Sequence, residues 1–567
     1  VSQIDWVVLV AALGGIVSYG VWRGRRANTL DGFILADRGM RWHTVLFSIM
    51  ATQASAITFI STPGQAYVDG MRFVQFYLGL PIGMIILSVT AVPIYHGLKV
   101  YTAYEFLEKR FDVKTRTLAG SLFLLQRGLA AGLTIFAPAL ILSIILGWNL
   151  YATNIVIGVL VILYTATGGS KALERTNVVQ LTTAMIGMVV AVIVIFLRLP
   201  TDVSLYEMTL VAGKLGKMNA ISFDFDWNDR YNFWSGLIGG LFLQLSYFGT
   251  DQSQVGRYLT GKSVAQSRLG LLFNGMLKIP MQFFILYVGI LVFVFFQFVA
   301  PPLFFNSIEV AKIEASSYAT EWKAIEGRHE TAFEERRASV DALVEASRSG
   351  DDAGVDAAAS RLREANTGFE SIKSEARELL TRNDPNAAVN DTNYIFLSFV
   401  MSFLPAGLIG LVIAAVFSAA MSSVSSELNA LASTSVIDVY KRLVRPDESD
   451  SHYVRASKFA TLFWGIFAIA FALTAHRFAP SLIELVNMIG SLFYGTILGM
   501  FLLAFYAKNM SGTSTFTAAL VAEAVVVYCK LGTDIAYLWF NVVGCLVTIT
   551  VALLVERLSK SLRTHTQ

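Results

Sequence analysis

A run of hydroxyls, Ser418-Ala419-Ala420-Met421-Ser422-Ser423-Val424-Ser425-Ser426, lies inside a long apolar stretch that ends at Lys441-Arg442. Hydroxyls at membrane depth are costly without partners. A desolvated alkali cation is one partner that rewards their crowding, since hard cations take oxygen ligands. Serines bonded back to the carbonyl one turn earlier, or easing close helix packing, account for the same pattern without an ion. Lys278 is also out of place: it falls about ten residues into an apolar run, near mid-depth at about 1.5 Å per residue. A lysine there needs either a structural partner, such as an acid or a helix end, or a ligand. Arg127 and Glu523 are mid-span too, with no role assigned beyond pairing or facing protein.

The elements that must position these groups are membrane helices. With 567 residues, 55% hydrophobic and 15% charged, the chain falls in the range of polytopic membrane proteins. Apolar runs long enough to cross a hydrocarbon core of roughly 30 Å recur near residues 4–22, 44–68, 73–97, 117–147, 150–168, 176–198, 232–256, 269–300, 394–440, 457–475, 480–506, 512–530 and 535–556, about thirteen spans in all. The fold class is therefore all-α. Basic residues such as Arg38 and Arg41, Lys109 and Arg110, Lys171 and Arg175, Arg257 and Lys262, and Lys441 and Arg442 fall in alternate loops. By the positive-inside rule this puts the N-terminus outside and the C-terminus inside. The net charge of +3 reflects those loops and gives no reason to invoke nucleic acid. Cys529 and Cys545 both lie in spans, which argues against a disulfide framework. From about Ile308 to Asn390 the sequence turns charged and Ala-rich, the pattern of solvated amphipathic helices, with a hairpin turn at Gly350-Asp351-Asp352-Ala353-Gly354. Topology places this insert outside, as an elaborated loop.

Two spans carry breakers. The second contains Ser61-Thr62-Pro63-Gly64; the seventh contains Gly239-Gly240 and, later, Gly249-Thr250-Asp251-Gln252. A break inside a span frees backbone groups that a cavity, an ion or a substrate must satisfy. Two such spans, five apart in order, predict an inverted repeat of five plus five helices with the site between them. Together with Asp31-Gly32-Phe33-Ile34-Leu35-Ala36-Asp37-Arg38, Tyr101-Thr102-Ala103-Tyr104-Glu105-Phe106, Arg257-Tyr258-Leu259 and Asp438-Val439-Tyr440-Lys441 after the serines, these residues resemble the sodium/solute symporter family. The resemblance covers nearly the whole chain except the charged insert, and implies a ten-helix core similar to that of the leucine transporter. On that basis the chain divides into 1–42 (an extra span and cytoplasmic loop), 43–200 (core helices one to five), 201–307 (six and seven), 308–392 (the external insert), 393–508 (eight to ten) and 509–567 (two further spans and a short tail).

The resemblance implies a sodium site made of the carbonyls of Ala51, Ala54 and Ala419 and the hydroxyls of Ser422 and Ser423. Five neutral oxygens replace a hydration shell without a fixed counter-charge, so the ion leaves easily. Where some members hold a second sodium through an aspartate and two serines, this chain has Asn177, Ser425 and Ser426. An amide brings no negative charge, so one sodium is favoured. For the solute, the family's sugar branch has a lysine twenty-one residues after the arginine that matches Arg257, and Lys278 stands at that spacing. Gln244 and Asn487 match its polar contacts, and Tyr247 its inner gate with Phe248 beside it; a plain aromatic core pair is the alternative for those two rings. The branch's acid on the second core helix is replaced by Tyr77, a first-helix contact by Thr58, and Gln75 is a further candidate. The pocket is thus less polar than a hexose site, and Lys278 could equally pair with a carboxylate. The expectation is sodium-coupled symport of a sugar or polyol, with a monocarboxylate or other anion as the alternative, by a chain acting as a monomer in the plasma membrane, of bacterial inner-membrane type. Sodium is the coupling ion, and no cofactor is implied. An intramembrane enzyme would need a nucleophile and base or a metal cluster, and no two of the six histidines stand at ligand spacing. A sensor would need a further domain after the last span.

Overall fold

The computed structural model describes residues 2–24, 30–199, 203–475 and 481–565, and helix occupies every apolar run. Nine helices among the described residues are long and apolar enough to cross a membrane, and Gln3–Gly15, Leu150–Leu163 and Thr392–Phe403 are shorter apolar segments.

Helix α1 (Gln3–Gly24) and the short α2 (Leu30–Leu35) precede a run folded as two helices, α3 (Trp42–Gln53) and α4 (Ala56–Asp69). The break is at Ala54 and Ser55, where Ser55 is extended (φ −83°, ψ 175°). This corrects the sequence expectation, because Pro63 lies inside α4 and does not interrupt it. Here α13 (Val264–Phe298) comes close enough that a Cβ on Gly289 would stand 2.2 Å from the Pro63 carbonyl oxygen. A 3₁₀ segment, Gly70–Tyr77, leads into α5 (Leu80–Val89), α6 (Ala91–Leu98) and α7 (Tyr104–Arg110). Helix α8 (Val113–Leu146) starts at an Asp112 cap that accepts from the Thr115 amide.

The runs at 150–168 and 176–198 lie on one continuous helix, α9 (Leu150–Arg198), inside which no proline falls. The side chains of residues 167–175, including Lys171 and Arg175, lie outside the described ones. After α10 (Leu205–Lys214), the seventh span opens with a π-helical turn, Ser235–Gly239, so Gly239-Gly240 widens the helix without breaking it. Its break falls between α11 (Gly240–Gly249) and α12 (Gln252–Leu259), where Asp251 is extended and caps α12 by accepting from the Ser253 amide.

The charged insert begins with α14 (Ser307–Glu314) and continues as a hairpin of α15 (Ala319–Ser349) and α16 (Asp352–Asn383). Gly350 turns it at φ +70°, a backbone region that favours glycine. Arg336 fixes the hairpin to the end of α13: it donates to the Phe296 carbonyl at 2.8 Å, with its guanidinium 3.7 Å from the Phe369 ring centroid. The serine run lies on α18 (Leu408–Thr434), which follows α17 (Thr392–Phe403) and is buried along nearly its whole length against α9, α8, α1 and α3. The buried Asp5 carboxylate of α1 accepts from the amides of Gly407 and Gly410, capping α18. The chain closes with α19 (Asp450–Ala472), α20 (Leu482–Tyr506), α21 (Gly512–Gly532) and α22 (Leu538–His565).

Candidate functional site

The last carbonyls of a helix have no partner four residues on. Because α3 stops at Gln53, the carbonyls of Ala51 and Ala54 are of this kind, beside a fully packed α18. Ala419, Ser422 and Ser423, spaced i, i+3 and i+4, share one face of α18. The structure joins the two elements directly, since the Ser423 hydroxyl donates to the Ala51 carbonyl oxygen at 3.3 Å. Two oxygens at that separation can touch one hard cation at about 2.4 Å from each. On the other side, Ser422 donates to Asn177 Oδ1 at 2.6 Å, and Asn177 Nδ2 donates to Ser48 at 3.0 Å. The first-site serines are thereby tied to α9 as well as α3.

The three residues matched to a second sodium are each hydrogen-bonded to other partners. Asn177 is bonded into the Ser422 cluster, Ser425 donates back to the Ser422 carbonyl at 3.1 Å, and Ser426 accepts from Thr52 at 3.1 Å.

A cavity of about 80 Å³ opens where the break between α3 and α4 meets α8, α11, α18 and α20. Thr58, Tyr77, Gln244, Tyr247 and Asn487 line it. Gln244 is fully buried, and neither atom of its amide has a hydrogen-bond partner. Asn487 donates to the Ile483 carbonyl at 2.8 Å, leaving its Oδ1 for the cavity. Tyr247 accepts from Gln254 at 2.6 Å and packs its ring on Phe248 and Tyr494, with centroids 5.0 and 5.9 Å away.

Three expected residues stand off the wall. Phe248 is packed behind Tyr247. Gln75 pins a loop instead, donating to the Tyr231 carbonyl at 2.7 Å and accepting from the Ser222 amide at 3.0 Å. Lys278 is fully buried on α13 with no hydrogen-bond partner, its Nζ 5.8 Å from the Tyr77 ring centroid. It therefore reaches the cavity only through that ring.

The pattern of types and spacings does not reveal that Arg127, Glu427 and Tyr494 share this wall. Arg127 pairs with Glu427 and with Asp251, which caps α12. The available signal was a charge at mid-span, which is functional by default; the partners lie 124 and 300 residues away in sequence.

Two broken helices, one of them broken at a buried polar cavity, with helix-end carbonyls beside a hydroxyl-rich helix, define a secondary transporter of the broken-helix type. The sequence profile of the sodium:solute symporter family matches residues 33–316 and 383–522, and the chain belongs to that family. The segment between the two matched stretches, 317–382, is the α15–α16 hairpin. Among its relatives, the chain is 23% identical to a sodium/sialic acid symporter of Aliivibrio fischeri over 99% of its own length and 94% of that protein's. It is 31% identical to the sodium-coupled monocarboxylate transporter 1 of Xenopus laevis over 47% of its length and 42% of that protein's. The fold is similar to the solved substrate-bound, outward-open state of a Na+-coupled sialic acid symporter, with a TM-score of 0.75 at 23% identity, covering 98% of each chain. The protein is thus a multi-pass membrane symporter that moves a small solute with sodium, and not an enzyme.

Proposed function

We propose that the solute is a hydroxyl-rich one, a sugar or polyol, bound in the central cavity and accumulated with one sodium held by Ala51, Ala54, Ala419, Ser422 and Ser423. The observation that carries this reading is Gln244, a fully buried amide on the cavity wall with both its donor and its acceptor unused. An unpaired buried amide costs stability, and a hydroxyl, which gives and takes one hydrogen bond, is the group that satisfies it. Thr58, with Asn487, offers a second polar side to the solute, while Tyr77 and Tyr247 offer faces to a ring. Lys278 would act through a shift of the Tyr77 ring.

A unit charge crossing 100 mV gains about 2.3 kcal/mol and a tenfold sodium gradient roughly 1.4, so one sodium supports accumulation of a neutral solute by roughly 500-fold. Placing the basic loops in the cytoplasm of a bacterial cell puts the α15–α16 hairpin outside and the C-terminus inside. One chain contains both helix breaks and the whole cavity, which supports a monomer as the working unit.

A carboxylate solute is the second reading, favoured by the names of the sialic acid and monocarboxylate relatives and by Arg127 on the wall. Against it, Arg127 is already shared by two acids. Uptake into proteoliposomes under an inward sodium gradient decides between them, using labelled hexoses, inositol, sialic acid and short monocarboxylates. Sodium-driven uptake of a neutral sugar or polyol, with KM raised about tenfold or more in Gln244→Ala, is the expected result. Uptake of carboxylates alone overturns the sugar reading and leaves sodium symport standing.

A further inference from the structure

The charges on the cavity wall do not balance. Arg127 Nη1 donates to Glu427 Oε1 at 3.0 Å, while its Nη2 pairs with Asp251 and donates to the Tyr494 hydroxyl at 2.6 Å. One guanidinium faces two carboxylates, which leaves one negative charge uncompensated in the buried interior. Asp251 is fully engaged, because it also accepts from Tyr494 at 2.9 Å and from the amide and hydroxyl of Ser253 at 2.8 and 2.6 Å. Glu427 is not: it is 5% exposed, yet its Oε2 has no hydrogen-bond partner. A buried carboxylate oxygen left in that state is expensive unless a cation visits it.

The other oxygens around it suit such a visitor. Gln53 Oε1 is also buried without a partner, and Gln53, Thr134 and Glu427 line the same cavity. Glu427 lies one helical turn beyond Ser423 on α18, toward the helix's basic end. The remaining titratable groups of the wall, Tyr77 on the 3₁₀ segment, Tyr247 on α11 and Tyr494 on α20, are phenols. Lys278 on α13 sits behind the Tyr77 ring and outside the cavity lining, so it does not neutralise the pair directly.

We propose that Glu427 is a second coupling site: its free carboxylate oxygen, with Gln53 Oε1 in the same cavity, takes up one monovalent cation, a sodium ion or a proton, in each transport cycle. The site is separate from the Asn177, Ser425 and Ser426 positions, whose groups are bonded elsewhere. It builds on the serine sodium site and adds a second positive charge per solute. A sodium ion there is coordinated by the carboxylate and the amide oxygen; a proton binds Oε2 and leaves from it, with no bond made to the solute.

Equilibrium binding of radioactive sodium to the purified full chain, with Ser423→Ala and Glu427→Gln beside wild type, tests this without knowledge of the solute. If sodium is the cation, wild type binds about two ions per chain and each single variant about one. If the proton is the cation, wild type and Glu427→Gln both bind about one sodium, and the solute found by the uptake panel drives a proton into proteoliposomes with wild type but not with Glu427→Gln. Equal sodium binding in wild type and Glu427→Gln together with no solute-driven pH change overturns the proposal. A loss of sodium binding in Glu427→Gln alone, with Ser423→Ala unaffected, keeps the Glu427 site and removes the serine one. Should Glu427→Gln fail to fold, the count on wild type decides: one sodium per chain with no proton movement overturns the site.

Discussion

At the scale of single residues, the two groups that stood out in sequence have different environments. Ser423 is bonded across to a helix end, at 3.3 Å from the Ala51 carbonyl oxygen, and the neutral donor set asks little of the fold. Ser423→Ala is therefore expected to leave the protein folded while raising the sodium concentration for half-activation at least tenfold, about 1.4 kcal/mol; unchanged sodium activation of transport would move the site elsewhere. Lys278 is the reverse case. Its amine is fully buried with no partner, an arrangement that costs stability and is kept at functional sites. Lys278→Met, which keeps the length of the side chain, is expected to raise the melting temperature and to lower solute-driven current by about 100-fold or more. A stable variant that transports normally would make Lys278 a passive neighbour of Tyr77. The serines were legible because their density is local, whereas the Arg127, Asp251 and Glu427 cluster was not, because it is assembled from α8, α18 and the break before α12, far apart in sequence, and no local pattern marks it.

At the scale of elements, what can be read depends on whether a break is written in breaker residues. The all-helical class and the helical hairpin followed from hydropathy and from Gly350, but the count of about thirteen spans did not hold: among the described residues nine helices are long and apolar enough to cross and three apolar segments are shorter, and the runs at 150–168 and 176–198 share one helix. Nor was the first broken helix legible: its break at Ala54-Ser55 contains neither proline nor glycine, and the proline that seemed to announce it lies inside α4. The glycines near Pro63 serve packing instead. A Cβ on Gly64 would stand 1.9 Å from the Thr392 carbonyl oxygen of α17, and one on Gly289 would stand 2.2 Å from that of Pro63. Both positions therefore hold α4 between α17 and α13 at backbone contact. Gly64→Ala and Gly289→Ala are each expected to destabilise by about 1–3 kcal/mol through overpacking, read as earlier thermal unfolding in detergent. Normal melting of both would mean that α4 shifts without cost.

At the scale of the whole molecule, the α15–α16 hairpin is closed on itself and held to the bundle by contacts that acid should release in a fixed order. His329, its ring tilted against Phe369 with centroids 4.5 Å apart, is pushed down to about 4 by burial and by the nearby Lys373 and Arg336 cations. Once α15 and α16 part, His329 takes its proton near 6.5, so the closed hairpin gains full benefit above that pH and loses it as pH falls toward 4. Glu207 on α10 is held at about 2, chiefly by the Arg348 guanidinium of α15 at 2.6 Å. Its contribution is complete above its ordinary value of 4.5 and disappears as pH falls toward 2. Hydrogen exchange of α15 and α16 should therefore accelerate in two stages, the first between about pH 6.5 and 4 and the second below about 4.5. His329→Leu should remove the first stage and leave the second, while Glu207→Gln should do the reverse. Exchange that does not change between pH 7.5 and 5 in wild type would mean that the hairpin opens without exposing His329. In that case Arg336, on its seat between Phe369 and the end of α13, carries the docking together with the Glu207–Arg348 pair.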